Sequence, residues 1–104
     1  MDLGSVQSVA AITSWSFRKG HRGAQKVALY GSASVVDPGW DLSAYTPLGM
    51  IDTTDLSQAT YTAASLRALD GQTIGQFRWI VWAVSPVTAA GENSAFQELA
   101  VELR

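Results

Sequence analysis

Gln76-Phe77-Arg78-Trp79-Ile80-Val81-Trp82-Ala83-Val84 decides how this chain is read, because the run is apolar on both of its alternating faces. Phe77, Trp79 and Val81 fall on one side and Ile80, Trp82 and Val84 on the other, the pattern of a central strand covered twice. The run is short and rich in β-branched and aromatic residues, which favours strand over helix. Beyond Pro86 and a polar stretch containing Gly91-Glu92-Asn93-Ser94, Ala95, Gln97, Leu99, Val101 and Leu103 alternate with Phe96, Glu98, Ala100 and Glu102. That period predicts a half-buried strand with one wetter face. The chain therefore closes on two strands joined by one polar, Gly-containing loop.

Working outward, Val9 to Phe17 and Lys26 to Tyr30 read as further strands. Between them lies Arg18-Lys19-Gly20-His21-Arg22-Gly23, whose glycines mark a loop and whose charges form a local basic cluster. Asp37-Pro38-Gly39-Trp40-Asp41 is a turn by composition, since proline presets one backbone angle and glycine accepts the left-handed region. A short strand over Leu48 to Ile51 follows. Ala59 to Leu69 is ambiguous, since Thr60-Tyr61-Thr62 favours extended backbone while Ala63-Ala64-Ser65-Leu66-Arg67 tolerates a helical turn. Strand and then turn is the favoured reading, and Asp70-Gly71 ends it. Short strands at turn-punctuated intervals, with no internal repeat or linker, predict an all-β sandwich or barrel.

The 104 residues make one domain. A chain of that length buries about 65% of its unfolded surface, so one core suffices without staples. With no cysteine there are no disulfides, thiolate nucleophiles or thiolate metal sites. Seven Lys and Arg against nine Asp and Glu leave a net charge of -2, a poor match for a polyanion, so nucleic acid is not an expected partner. No apolar run reaches the ~18 residues of a spanning helix, so membrane insertion is not expected either.

Asp2-Leu3-Gly4 with Ile12, then Leu29-Tyr30-Gly31-Ser32, Trp40, Phe77-Arg78-Trp79-Ile80 and Phe96-Gln97-Glu98-Leu99-Ala100-Val101 occur in a telling order. In this the chain resembles discoidin-type domains, also called coagulation factor 5/8 C-terminal-like domains or family 32 carbohydrate-binding modules. The resemblance spans nearly the whole chain. It implies a galactose-binding-like jelly-roll β-sandwich, usually a non-catalytic attachment that binds sugars through loops at one end. It further implies an extracellular, cell-surface or periplasmic setting and neighbouring domains of a parent protein. Members of the family carry a leading portion before the Asp-Leu-Gly strand, including a loop that supplies most ligands of a structural calcium. Here Asp2-Leu3-Gly4 follows Met1 directly. A sandwich incomplete on its N-terminal side is therefore expected. Glu98 matches the family's carboxylate near that calcium, but a hard cation needs about six to eight oxygen ligands. No metal and no cofactor are expected, and Glu98 is read as a solvent-face residue or as an internal salt-bridge partner of Arg78.

Six residues form the candidate ligand-binding set: Arg18, His21 and Arg22 of the basic loop, Trp40 of the turn, and Glu92 and Asn93 before the last strand. Guanidinium and imidazole groups donate to hydroxyl or carboxylate oxygens, and an adjacent carboxylate and amide suit sugar hydroxyls. The bland alternatives are a solvated basic turn, plain turn chemistry and, for Trp40, the structural position beside the second strand that the resemblance implies. A pyranose also packs its apolar face on a ring, a role open to Trp40 and to Tyr45. The strand tryptophans Trp15, Trp79 and Trp82 are assigned to the core instead.

Catalysis is argued against by elimination. The chain has one His, no nucleophile-elbow serine, no phosphate-binding glycine loop and no His-Glu-x-x-His motif. The carboxylate pairs Asp37 with Asp41 and Asp52 with Asp55 lie where Asp caps and bends backbone. The resulting expectation is a non-catalytic carbohydrate-binding module of a larger exported protein, with glycans as ligands. The alternative is a structural or protein-interaction sandwich with no sugar site.

Overall fold

The computed structural model describes residues 1–17, 25–53, 61–86 and 98–104. These form β1 (Asp2–Phe17), β2 (Gln25–Ser32), a 3-10 turn (Leu42–Ala44), β3 (Thr46–Asp52), β4 (Tyr61–Arg67), β5 (Gly75–Pro86) and β6 (Glu98–Leu103). The domain is all-β and sandwich-like, as the alternating runs imply.

All pairings are antiparallel, and the main path runs β3-β2-β5-β1-β4 with β6 added on β1. Val9 pairs with both Gly75 and Leu103, so β5 and β6 lie on opposite edges of β1. Ala11 to Trp15 pair with both β4 and β6. It follows that β5 and β4 meet the same edge of β1 in succession, and that β1 carries the chain from one layer to the other. β3 approaches β4 on the far side, which nearly closes the sheet into a barrel.

β1 makes this crossing through two irregularities. The register against β5 shifts between Asp2 and Gln7, and the register against β6 shifts between Val9 and Ala11. Gly4 supplies the first with φ +83°, a left-handed conformation costly for other residues, and its N–H donates to Asp2 Oδ1 at 2.8 Å. At the second, Val9, Ala10, Ala11 and Ile12 are all buried in succession, because the strand is covered on both faces where it changes layers.

Val9, Ile12, Val27, Leu29, Ile51, Phe77 and Ile80 form the core. Phe77 and Ile80 both belong to it although they lie three apart. The strict alternation expected for β5, with Phe77 on the face opposite Ile80, is thus broken where the ladder to β1 is interrupted opposite Arg78. Arg67 and Glu102 both pair with Ala11 and bridge above this small, buried residue at 2.6 Å, tying β4 to β6. Glu98 is exposed, the solvent-face alternative, and Arg78 pairs instead with Asp2 at the start of β1, at 2.9 Å.

Ser14 is fully buried, and among the described residues its hydroxyl has no hydrogen-bond partner. Such a group bears its desolvation cost without compensation. Ser14→Ala is therefore expected to stabilise the protein by ~1 kcal/mol, read from the midpoint of urea unfolding at constant slope.

Candidate functional site

The β2–β3 connection, residues 33–45, carries the most unusual surface residue, Trp40, which is 91% exposed. The segment is held in place by its own turn chemistry. Asp37 Oδ1 accepts the Gly39 N–H at 2.8 Å, and Asp41 Oδ1 accepts the Ser43 N–H at 3.0 Å as N-cap of the 3-10 turn. Both carboxylates are thus backbone caps, as their turn-like surroundings imply. The Ser43 backbone and hydroxyl hold Asp41 below the usual carboxylate range. Tyr45 Oη donates to the Gly39 carbonyl at 2.8 Å, closing the turn from the other side.

Two residues of β5 prop this connection from beneath. Trp79 Nε1 donates to the Ser34 carbonyl at 2.9 Å, and Arg78 Nη1 donates to the Val35 carbonyl at 2.7 Å. Arg78 also makes a bidentate bridge to Asp2, at 2.9 and 3.0 Å, and its guanidinium lies 5.0 Å from the Trp79 ring centre. The Arg78 guanidinium, and then the Gly4 amide, hold the Asp2 carboxyl below its usual range. A depressed carboxyl adds stability above its unfolded pKa and loses it as pH falls through the folded one. Asp2→Asn is therefore expected to flatten the fall in Tm between about pH 5 and pH 2, measured by calorimetry across that range.

Between the braced connection and β5 lies a cavity of about 180 Å³, lined by Asp37, Gly39, Trp40, Tyr45, Trp79 and Val81. Burial, and then the Asp37 carboxylate, push the Tyr45 phenol above its ordinary value, so it stays a neutral hydroxyl at physiological pH. Among the described residues nothing donates to Asp37 Oδ2. An exposed indole face, an open carboxylate oxygen and a phenolic oxygen thus stand around one hollow, an arrangement suited to a ligand with an apolar face and hydroxyl donors.

Of the six residues expected to bind ligand, Trp40 lies in this site, whereas Arg18, His21, Arg22, Glu92 and Asn93 lie outside the described residues. The strand ends flanking 18–24 and 87–97 are neighbours in two pairs, Gln25 with Pro86 and Trp15 with Glu98. The Trp40 connection leaves β2 at the other end, where Gly31 pairs with Thr46. It nevertheless leans back along β5, because Trp40 and Val84 line a second cavity of about 240 Å³. Trp79, assigned to the core from its strand position, turns out to line the site and hold its loop. Asp37, read from the sequence as a turn residue in preference to a carboxylate pair with Asp41, lines the site as well. Among the described residues no group of three or more His, Cys, Asp or Glu side chains is placed to hold a metal ion, and no helix is long and apolar enough to cross a membrane.

No protein-family model, no curated protein and no solved structure matches this chain.

Proposed function

We propose that the domain is a non-catalytic carbohydrate-binding module of discoidin type, carried by a larger exported protein and binding glycans at the Trp40 hollow. The observation that supports this reading is the exposure of Trp40, 91%, on a connection fixed by hydrogen bonds from Tyr45, Arg78 and Trp79. Leaving so large an apolar ring in water forgoes roughly 1.5–3 kcal/mol of burial. A braced backbone presents it to a ligand without the entropy cost of ordering a loose loop. The C–H face of a pyranose packs on the indole, and its hydroxyls reach Asp37 Oδ2 and the Tyr45 oxygen.

Glycan-array screening followed by calorimetric titration tests the proposal. Saturable binding of at least one saccharide, with a change in tryptophan fluorescence, is the expected result. A folded sample that binds no saccharide on the array sinks it. One observation favours the second reading, a protein-interaction sandwich: part of the edge of β5 is uncharged and carries no neighbouring strand among the described residues.

A further inference from the structure

Three aromatic rings, Trp40, Tyr45 and Trp79, and one carboxylate, Asp37, line the hollow of about 180 Å³ between the β2–β3 connection and β5. Its hydrogen-bonding groups are unevenly spent. The Tyr45 hydroxyl gives its proton to the Gly39 carbonyl at 2.8 Å, and the Trp79 indole gives its own to the Ser34 carbonyl at 2.9 Å. The Gly39 N–H goes to Asp37 Oδ1 at 2.8 Å. Of the side-chain donors on these rings, the Trp40 indole alone has no acceptor among the described residues. Asp37 Oδ2 and the Tyr45 oxygen, by contrast, both keep lone pairs for a ligand. The hollow is rich in acceptors and poor in donors.

The charges lean the same way. No ion pair joins Asp37 to Arg78, Met1 or any other cation among the described residues. Arg78 is neutralised by Asp2 through two hydrogen bonds, and the Met1 ammonium, also at the hollow, donates to the Ile80 carbonyl at 2.7 Å. Burial, and then the Asp37 charge, raise the Tyr45 phenol, so carboxylate and phenol lie within each other's field. Trp79 already has the Arg78 guanidinium 5.0 Å from its ring centre, whereas the Trp40 ring, 91% exposed, stands open. A cation within about 6 Å of an indole centre is attracted to the negative face of the ring.

From this we infer that the saccharide bound at the Trp40 hollow carries a protonated primary amine, as a hexosamine without its acetyl group does. The inference rests on the glycan reading and narrows it. A neutral hydroxyl both donates and accepts, so part of its capacity goes unmet here, and a carboxylate or sulfate brings a like charge to Asp37. A quaternary ammonium has the right charge but no proton to give to Asp37 Oδ2. A primary ammonium has the charge and three donors, and lacks any acceptor that would need a partner. It donates to Asp37 Oδ2 and to the Tyr45 oxygen while the C–H face of the same sugar packs on Trp40. N-acetylation removes the charge and adds a carbonyl where donors are scarcest.

Calorimetric titration with trimers of glucosamine and of galactosamine, each beside its N-acetylated counterpart, tests this at about pH 6, where aspartate is ionised and the amine protonated. At least one amine trimer is expected to bind at least ~10-fold more tightly than its acetylated form. Asp37→Asn should reduce that preference below ~3-fold, since its side-chain oxygen still accepts the Gly39 N–H and keeps the turn while the charge is gone. The peptide acetyl-Gly-Lys-Gly-amide, which offers an ammonium on no sugar, should bind at least ~10-fold more weakly than the amine trimer. Neutral or acidic saccharides bound as tightly as any amine, or a preference that survives Asp37→Asn, overturn the inference and leave the glycan reading standing. The lysine peptide bound as tightly as the amine trimer takes the ammonium site away from sugars. No saccharide bound at all, in solution or on the array, removes both readings together.

Discussion

Phe77→Ala is expected to destabilise the domain by ~4 kcal/mol, the largest stability loss of any single truncation in this core. The magnitude follows from what surrounds the ring. A Cβ built on Gly31 would stand 2.6 Å from Phe77 Cδ1, and one built on Gly75 would stand 2.5 Å from Cζ. The ring therefore rests on bare backbone of two strands, and neither wall has a side chain that can swing into the space it leaves. Cavities that cannot collapse lie at the costly end of large-to-small substitutions. At roughly 4–8 °C per kcal/mol for a domain of this size, Tm should fall by about 20 °C. The same contact gives a second readout. Gly31→Ala alone should cost ~1–3 kcal/mol by overpacking, but should cost much less, or stabilise, in the Phe77→Ala background. Additive losses in that double-mutant cycle, or a Phe77→Ala cost below ~1 kcal/mol, would mean that the ring is not seated between the two glycines.

That core also marks how far the sequence could be read. Strands β2, β3 and β5 were legible because their β-favouring residues and bounding turns are local properties, as was β6 from its alternation, and Asp37-Pro38-Gly39 announced its turn for the same reason. β4 was half-read, since Ala63 to Arg67 also suit a helical turn but continue the strand. β1 was legible only from Val9 onward. Its first part is shaped by a bulge at Gly4 and by pairing with Trp79 far along the chain, and neither leaves a periodic trace. The Asp2 to Arg78 bridge was missed for the same reason, its partners lying 76 residues apart. A bridge from Arg78 to Glu98 had equal standing on sequence alone. Trp79 shows a different limit. Its place in an apolar strand implied the core, whereas Trp79 is half-buried outside the core cluster, and the hydrogen bond of its indole to Ser34 depends on where the β2–β3 connection settles. Sequence found the exposed aromatic of the candidate site and left its supports unread.

Trp40→Ala should abolish measurable glycan binding, weakening it by at least ~10-fold, while leaving stability within about ±0.5 kcal/mol. The two halves of this expectation have one cause. With 91% of its surface in water, Trp40 contributes little packing to the fold, whereas the indole is the largest apolar surface that a ligand at the hollow can cover. Trp40→Phe keeps a ring and should retain part of the affinity. Arg78→Ala acts differently, since it releases the Val35 carbonyl and the Asp2 carboxylate together. It should weaken binding by loosening the connection and also flatten the acid dependence of Tm, as Asp2→Asn does, and Trp40→Ala should not reproduce that second effect. Calorimetric titration paired with urea unfolding on each variant separates the cases. Wild-type affinity in Trp40→Ala would remove the hollow as the glycan site even if the domain binds sugar. Equal losses of affinity and stability would instead assign Trp40 to holding the fold.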